Sequence, residues 1–382
     1  MTKVASKSAQ IITKFFNFTS KATSAKATAA ISALLYNEDP KLFTLGQYTN
    51  RTIKKHSYEQ NTRRLLDNNI IEFNNYATAV LTMFALTDDI ELVIDRTNYK
   101  YGNISINFFV LAVIFRNTAI PLYWLMLDNK GGNSTSDNRI DLINWFITNF
   151  PDIKIKYLYA DREFPSNSFL QWLKDNNIPF IFRTKSSVNT SNGDKKISLA
   201  KLYHNLHNMP NQTKVEHKIR RIYNCRVFLH AKLNNKNEQV FLISSNHDID
   251  AFDLYQHRWT IENMFGKFKT KGFNLEASKL TNTKRLSSLF LLMAIAYSIA
   301  LKIGTIANNI NPIPIKRIQE NKNIRTTFLF SLFNFGSKLL KIFFDNYLSS
   351  KVAIKQLQKI LNYQPNHLVN KRLAIYKYLT TF

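Results

Sequence analysis

The 382-residue chain reads as α/β, with a mixed five-stranded sheet and flanking helices at its centre, a β-rich insertion in that core, and helical N- and C-terminal regions. Three observations predict this class. Up to about residue 85 the apolar residues recur at helical spacing, whereas from Ile90 they gather into short continuous runs bounded by turn residues. Those runs fall in the order strand, strand, strand, helix, strand, helix, strand. Beyond residue 270 helical spacing returns.

Taken in order, residues 1–86 read as a helical domain, and its basic centre leads to the expectation that it binds DNA. Its centre, LFTLGQYTNRTIKKHSYEQNTRRLLDN, holds an apolar segment, a turn-like TNRT and a helix carrying Lys54, Lys55, Arg63 and Arg64. This is the outline of a helix-turn-helix whose basic helix enters a DNA groove. ELVIDRT, ISINFFVLAVIF and AIPLYWLML follow as consecutive antiparallel strands, separated by NYKYGN and RN. SDNRIDLINWFITNF has helical spacing, with Ile140, Leu142, Ile143, Phe146 and Ile147 available for one face. IKIKYLYAD is a strand, SNSFLQWLKDNN a helix and IPFIFRTK a further strand. This order, ahead of a helix that carries another carboxylate, is that of a ribonuclease-H-like core, expected over residues 87–185 and 248–305. Residues 186–247 are the β-rich insertion: NTSNGDKK reads as a loop, and KVEHKIRRIY, CRVFLHAKL and EQVFLISS as antiparallel strands. A long helix over residues 284–306 precedes the break NPIPIK. Two more helices are expected over residues 328–344 and 351–361, so residues 306–382 form a basic helical region.

Lys and Arg number 52 against 26 Asp and Glu, a net charge of +26 that calls for a polyanionic partner. Residues 270–382 alone hold 17 basic and 3 acidic residues, so contacts to a phosphate backbone are expected there, weakening steeply with salt. Cys225 is the single cysteine, which rules out an intrachain disulfide and a cysteine-based zinc site. The N-terminus has no apolar core long enough for a signal peptide. The most apolar stretch, residues 286–301, includes three serines and is short for a membrane span. A buried amphipathic helix suits it better, and a soluble, cytoplasmic protein without a membrane partner is expected.

Three carboxylates stand out. Asp95 in ELVIDRT and Asp161 in IKYLYADREF each end an apolar run that reads as a buried strand, and an acid inside such a strand would be left unpaired. The third, Glu262, lies in a segment read as helix over residues 253–271. At about 100° per residue, Tyr255, Arg258, Glu262 and Lys269 fall within roughly 60° of arc, while Trp259, Ile261 and Phe265 suit the opposite, buried face. Hard carboxylate oxygens suit Mg²⁺, and two ions about 3.5–4 Å apart serve in-line displacement at phosphorus, so no side-chain nucleophile is needed. Mn²⁺ is expected to substitute. Arg258 offers a bidentate grip on a phosphate, Lys269 a point charge, and Tyr255 a phenol that donates or stacks. Singly, each acid has an ordinary alternative: Asp95 as a turn cap, Asp161 paired with Arg162, Glu262 paired with Arg258. Glu163 is a rival ligand, although Phe164 and Pro165 mark the strand's end. His217, His230, His247 and His257 form no pair at metal-ligand spacing and are taken as structural or phosphate-facing.

YQHRWTIENMFGKFK contains Y-x2-R-x3-E-x6-K, and here the chain resembles the IS4 family of bacterial insertion-sequence transposases. IDRTNYKYGNISINFFVLAV is similar to the family's segment around its first catalytic Asp, YADREF to that around the second, and KGFNLEASKLTNTKRLSSL to the stretch after the Glu helix. The resemblance runs at least over residues 42–341. It implies that Asp95, Asp161 and Glu262 are the DDE metal ligands and that Tyr255, Arg258 and Lys269 contact DNA phosphates beside the cleaved bond. The implied activity is cleavage at the element's terminal inverted repeats followed by 3′-OH strand transfer into target DNA, by a homodimer in the synaptic complex in the bacterial cytoplasm. Some relatives pass through hairpins and flip a base onto a Trp of the insertion. This chain has no Trp between Ile178 and Arg258, leaving Tyr203, Tyr223 or Phe228 as substitutes. PSNSF stands after DREF where many relatives have a Gly-containing turn, a departure that concerns the loop. A catalytically inactive transposase-derived DNA-binding protein, and a ribonuclease-H-like nuclease without strand transfer, are the alternatives.

Overall fold

The computed structural model describes residues 9, 12–48, 53–127, 134–192, 195–247, 249–320 and 323–346. The helices with described bounds begin with α1 (Lys21–Asn37), α2 (Leu42–Gln47), α3 (Lys55–Asp67) and α4 (Phe73–Phe84). The core follows as β1 (Ile90–Tyr101), β2 (Ile104–Phe115), β3 (Thr118–Leu127), α5 (Ser136–Asn149), β4 (Ile155–Ala160), α6 (Asn167–Asp175) and β5 (Phe180–Thr184). Then come β6 (Asn189–Asn192), β7 (Lys195–Ser198), α7 (Leu199–Leu202), β8 (Thr213–Val215), β9 (Arg220–Ile222), β10 (Cys225–Leu233) and β11 (Gln239–Ser244). Helices α8 (Ala251–Tyr255), α9 (Trp259–Phe268) and α10 (Thr283–Ile310), strands β12 (Ile315–Glu320) and β13 (Asn323–Phe328), and α11 (Leu332–Asn346) complete the order. By compactness the chain divides into two units: Thr87–Lys100 with Ser105–Phe265, and Met1–Leu86 with Tyr101–Ile104 and Gly266–Phe382.

The first unit is built on a nine-stranded mixed sheet in the order β3-β2-β1-β4-β5-β11-β10-β8, with β9 paired to β10. Its first five strands are the expected core. β2 has a neighbour on each side and its residues Phe108, Phe109, Val110, Leu111, Ala112 and Val113 are fully buried, which is why it reads as an unbroken apolar run rather than an alternation. β1 pairs with β4, and β4 with β5, in parallel, so each connection must cross over, and α5 and α6 supply the crossovers. Thr135 closes a capping box with Asn138 at the start of α5, and the Ser166 hydroxyl accepts from the Phe169 N–H at the start of α6.

The insertion is continuous with this sheet. β11 pairs antiparallel with β5, Phe241 opposite Thr184 and Ser244 opposite Ile181, covering what would otherwise be an open edge. Two details differ from the sequence-based expectation. NTSNGDKK contributes to the β6–β7 pair instead of a plain loop. KVEHKIRRIY breaks into β8 and β9, because Glu216 turns inward to accept from the Tyr203 phenol at 2.7 Å and to pair with Arg220 at 3.3 Å.

In the helical unit, the stretch expected to be amphipathic is buried on all sides: every residue from Leu289 to Ala307 along α10 is buried. α10 is long and apolar enough to cross a membrane by composition, and its most apolar window lies wholly inside this unit. Polar groups along it are satisfied locally, with Ser298 and Thr305 donating to the carbonyls of Ala294 and Leu301. Lys302 is buried and donates at 2.5 Å to the carbonyl of Met83 at the end of α4, where a cation is favoured. In the expected helix-turn-helix, the Thr62 hydroxyl of α3 donates to the Leu42 carbonyl of α2; the TNRT turn lies outside the described residues. After NPIPIK the chain forms the antiparallel pair β12–β13, not foreseen from sequence, before α11; the helix expected over residues 351–361 lies outside the described residues.

α10 and α11 approach backbone to backbone at Gly304 and Gly336. A Cβ on Gly336 would stand 1.8 Å from the Ala300 carbonyl oxygen, and one on Gly304 1.9 Å from that of Leu332. Replacing glycine by alanine within a helix ordinarily gains about 1 kcal/mol, whereas overpacking a rigid contact costs about 1–3 kcal/mol. Gly336→Ala is therefore expected to destabilise the helical unit by about 1 kcal/mol net, measured as a lower urea midpoint; a raised midpoint would contradict the close crossing.

Candidate active site

The parallel ladder between β1 and β4 runs from Ile90 opposite Ile155 to Val93 opposite Tyr159. Carried two residues further, its offset sets Asp95 beside Asp161, the first residue after β4. Asp161 therefore sits at a strand end as expected. Asp95 does not: β1 continues to Tyr101, and Asp95 stands inside it where its neighbour β4 has stopped, which leaves its carboxyl a polar opening despite the strand's apolar start. The chain after Asp161 turns sharply, the Phe164 N–H donating to the Asp161 carbonyl at 3.1 Å. Buried Arg139 of α5 holds this turn, its Nη1 donating to the Phe164 carbonyl at 2.6 Å and its other donors to Ser134.

Alternation along β1 puts Glu91, Val93 and Asp95 on one face. Two consecutive residues meet that face: His257 Nδ1 lies 2.7 Å from Glu91 Oε2, and Arg258 Nη1 lies 3.5 Å from Asp95 Oδ2. Tyr159 also donates to Glu91, at 3.2 Å. His257 is thus engaged with a carboxylate of the sheet.

Residues 253–271 are not one continuous α-helix. α8 ends at Tyr255, Gln256–Arg258 form a 3₁₀ turn, and α9 carries the chain to Phe268. A 3₁₀ turn eclipses residues three apart, and Arg258 accordingly lies over the Tyr255 ring, 5.7 Å from its centroid. α-Helical spacing then brings Glu262 to Arg258, Nη2 to Oε1 at 2.7 Å. One guanidinium thereby joins two of the three carboxylates. The third is reached by the Tyr255 hydroxyl, 3.4 Å from Asp161 Oδ1 and from the Ala160 carbonyl. Lys269 falls in the turn after α9, one residue beyond its last helical position.

Burial pushes the Asp95 carboxyl up to about 7; the Arg96 N–H at 2.7 Å and Arg258 oppose the shift, and Asp161 and Glu163 reinforce it. Burial also works against the charge on Arg258, whose side chain is 5% exposed, but its acidic neighbours outweigh that and hold its pKa above the ordinary value. Burial raises the Tyr255 phenol, keeping it a neutral donor. The Arg258 Nε is buried without a hydrogen-bond partner. Glu262 is more open, at 43% exposure.

Among the described residues no three acid, imidazole or thiol groups stand close enough to cage a metal ion by themselves. The donor set nonetheless fits a hard divalent cation: the charge of Asp161 raises the Asp95 carboxyl, Asp95 and Glu262 share the buried Arg258, and magnesium binds through one or two carboxylates while keeping water and substrate phosphate.

Residues 87–299 match the family model described as Transposase DDE domain. The chain belongs to this transposase family. It is also similar to a cryo-EM structure of the piggyBac transposase synaptic complex with hairpin DNA (SNHP), with 11% identity, a TM-score of 0.45, and coverage of 97% of this chain and 83% of that one. No curated protein matches it.

Several residues of this DDE-domain chain differ from expectation. Trp259, assigned to the buried face, is 56% exposed, with its indole against Arg258 at 5.0 Å, because the 3₁₀ turn shifts its direction; Ile261 and Phe265 are buried as expected. Tyr203, a suggested base platform, is buried under Glu216; Tyr223 lies beside the Thr184 hydroxyl and Phe228 is half-buried against His247. Glu163 is engaged by Arg96 through two contacts, at 2.8 and 2.5 Å. Arg96, Glu91 and Arg139 were not singled out from sequence. The repeated Asp-Arg in IDRT and ADRE was the available signal for Arg96. Of the basic residues expected to meet DNA, Lys54, Lys55 and Arg64 are exposed and Arg63 is half-buried.

The raised pKa of Asp95 fixes a pH dependence. The folded protein holds this proton up to about 7, whereas the unfolded chain releases it near 4. Stability of the ion-free protein should therefore fall as pH rises from 4 to 7, by roughly 2–4 kcal/mol. Asp95→Asn is expected to remove that slope and to unfold at higher urea than wild type at pH 8 but at the same urea below pH 4; equal midpoints at pH 8 would contradict it.

Proposed function

We propose that the chain is the transposase of an IS4-type bacterial insertion sequence, cutting DNA at the element's terminal inverted repeats and joining the freed 3′-OH to target DNA. The observation that carries this is the Arg258 guanidinium spanning Asp95 and Glu262, with Asp161, like Asp95, two residues past the end of the β1–β4 ladder and its charge acting on Asp95. Asp95, Asp161 and Glu262 would hold two Mg²⁺ ions, with Mn²⁺ able to substitute. When bound, the ions supply activation of the attacking oxygen and charge stabilisation at the leaving one.

The chain's own residues supply the positioning. Arg258 presents a planar fork matched to two phosphate oxygens, and it is already held in place by α9 and the Tyr255 ring. Tyr255 donates from a site in which burial keeps it protonated, and Lys269 adds a point charge to the phosphates flanking the cut. Lys54 and Lys55 stand at the N-terminus of α3, where the helix dipole disfavours cations by about 0.3–1 kcal/mol each. That cost is consistent with a surface selected for phosphate contacts rather than for stability. The working form is a homodimer bound to double-stranded DNA in the cytoplasm.

Incubation with Mg²⁺ and a duplex carrying the element's terminal repeat should give cleavage and covalent joining to a second duplex. Glu262→Gln should reduce both by at least about 10³-fold while leaving DNA binding intact, a magnitude typical of losing an essential charge stabiliser. Binding without cutting by wild type would favour an inactive DNA-binding protein, and cutting without joining a plain nuclease. Replacing Lys54, Lys55 and Arg64 together by alanine should weaken repeat binding and lower the slope of log affinity against log salt by roughly 2–3, about 0.9 for each phosphate no longer neutralised; an unchanged slope would remove α3 from the interface.

A further inference from the structure

Asp95 and Asp161 lie on two different chain segments, and their register neighbours end before either carboxyl is reached: the β1–β4 ladder stops at Val93 and Tyr159. Something else must set the separation of the two acids. One residue beyond Asp95, Arg96 reaches Glu163, two residues beyond Asp161, through both arms of its fork, Nε to Oε1 at 2.8 Å and Nη2 to Oε2 at 2.5 Å. Such fork-to-fork pairs fix distance and orientation together. The Arg96 side chain is 15% exposed and that of Glu163 37%, so the pair is partly shielded from solvent. Glu163 sits in the turn closed by the Phe164 N–H on the Asp161 carbonyl, and Arg139 anchors the next carbonyl of that turn. Displacing the backbone at Asp161 away from Asp95 therefore pulls on the Arg96 fork.

We propose that Arg96 and Glu163 are positioning residues that set the Asp95–Asp161 separation, and that this strut determines which divalent cation the site prefers. The inference rests on the reading of Asp95 and Asp161 as metal ligands. Magnesium demands near-ideal octahedral geometry at 2.0–2.1 Å and tolerates displaced ligands poorly, whereas larger ions accept looser sites. With the strut intact the pair of acids suits Mg²⁺. With it broken, preference passes to Mn²⁺.

Charge and geometry make opposite demands on one variant. Arg96→Gln removes a cation near the carboxylates, which by electrostatics alone should tighten binding of any divalent ion; loss of the strut should weaken it. Mn²⁺ affinity is read by electron paramagnetic resonance and Mg²⁺ affinity by competition against it, with the full chain and no DNA. For Arg96→Gln we expect Mg²⁺ affinity to fall about tenfold, Mn²⁺ affinity to change less than threefold, and the thermal midpoint to stay near that of wild type. Arg96→Lys keeps the charge but loses the second donor, and should show the same change in ion preference. The charge-reversed pair Arg96→Glu with Glu163→Arg should recover at least half of the lost Mg²⁺ preference. Unchanged or tighter Mg²⁺ binding in Arg96→Gln and Arg96→Lys would overturn the strut while leaving the metal site standing. If wild type binds neither ion, or Asp95→Asn binds both as wild type does, the metal reading itself fails and the strut with it.

Discussion

The parallel pairing of β1 with β4 is the constraint on which the candidate site depends. Two strands that run the same way present successive residues on the same side of a sheet, so acids placed just past the ladder are brought near one another, and the turn after β4 sets the rest of their placement. The 66-residue offset between paired positions, Val93 opposite Tyr159, is the same as that between Asp95 and Asp161. The price of parallel pairing is a crossover, and α5 meets it while also supplying Arg139 to the turn behind Asp161. Fold and site thus share residues: the same strand offers Glu91 to His257 and Asp95 to Arg258, tying the 3₁₀ turn to the sheet at two points.

A chain of charge +26 has built a locally acidic cluster. Asp95, Asp161 and Glu262 face one closely paired cation, Arg258, while Arg96 and Glu163 neutralise each other. With all three acids ionised, the balance is negative by about two charges. The folded protein relieves part of this by holding a proton on Asp95 up to about pH 7. A divalent cation would relieve it more fully, and the carboxyl proton would then be released as the ion enters. In the proposed reaction the basic surface and the acidic cluster would be complementary, the one suited to a phosphate backbone and the other to a metal that both phosphate and carboxylate could share.

Much of the core was legible because burial writes itself into composition. β2, enclosed on both sides, is an unbroken apolar run, and the strand-helix alternation that follows forces parallel crossovers. Asp95 and Asp161 were legible as the acids that interrupt or close such runs. The helical arc was legible only in part: the i to i+4 relation of Arg258 and Glu262 holds, but a 3₁₀ turn cannot be told from α-helix by residue spacing, and it turned Trp259 outward. β12 and β13 were hidden because Ile315 and Ile318, or Ile324 and Phe328, stand at helical rather than alternating intervals. Nor could residue spacing announce the pairing of Arg96 with Glu163, which are 67 positions apart and are brought near each other by the β1–β4 pairing.

Stability and placement make different demands on an ion pair. A partly exposed Arg–Glu pair contributes about 1 kcal/mol to folding, too little to explain on energetic grounds why Arg96 should reach across two segments rather than extend into solvent. Placement is another matter, because a functional constellation must be held to within about 0.5 Å by side chains whose own directions are locked. The turn after Asp161 has two such locks, one through the backbone to Arg139 and one through Glu163 to Arg96. Each contributes little free energy, and each acts on the one segment whose displacement would separate the two aspartates. Arginine suits both tasks for the same reason: a planar fork fixes an angle as well as a distance, which lysine, with a single rotating ammonium group, cannot do.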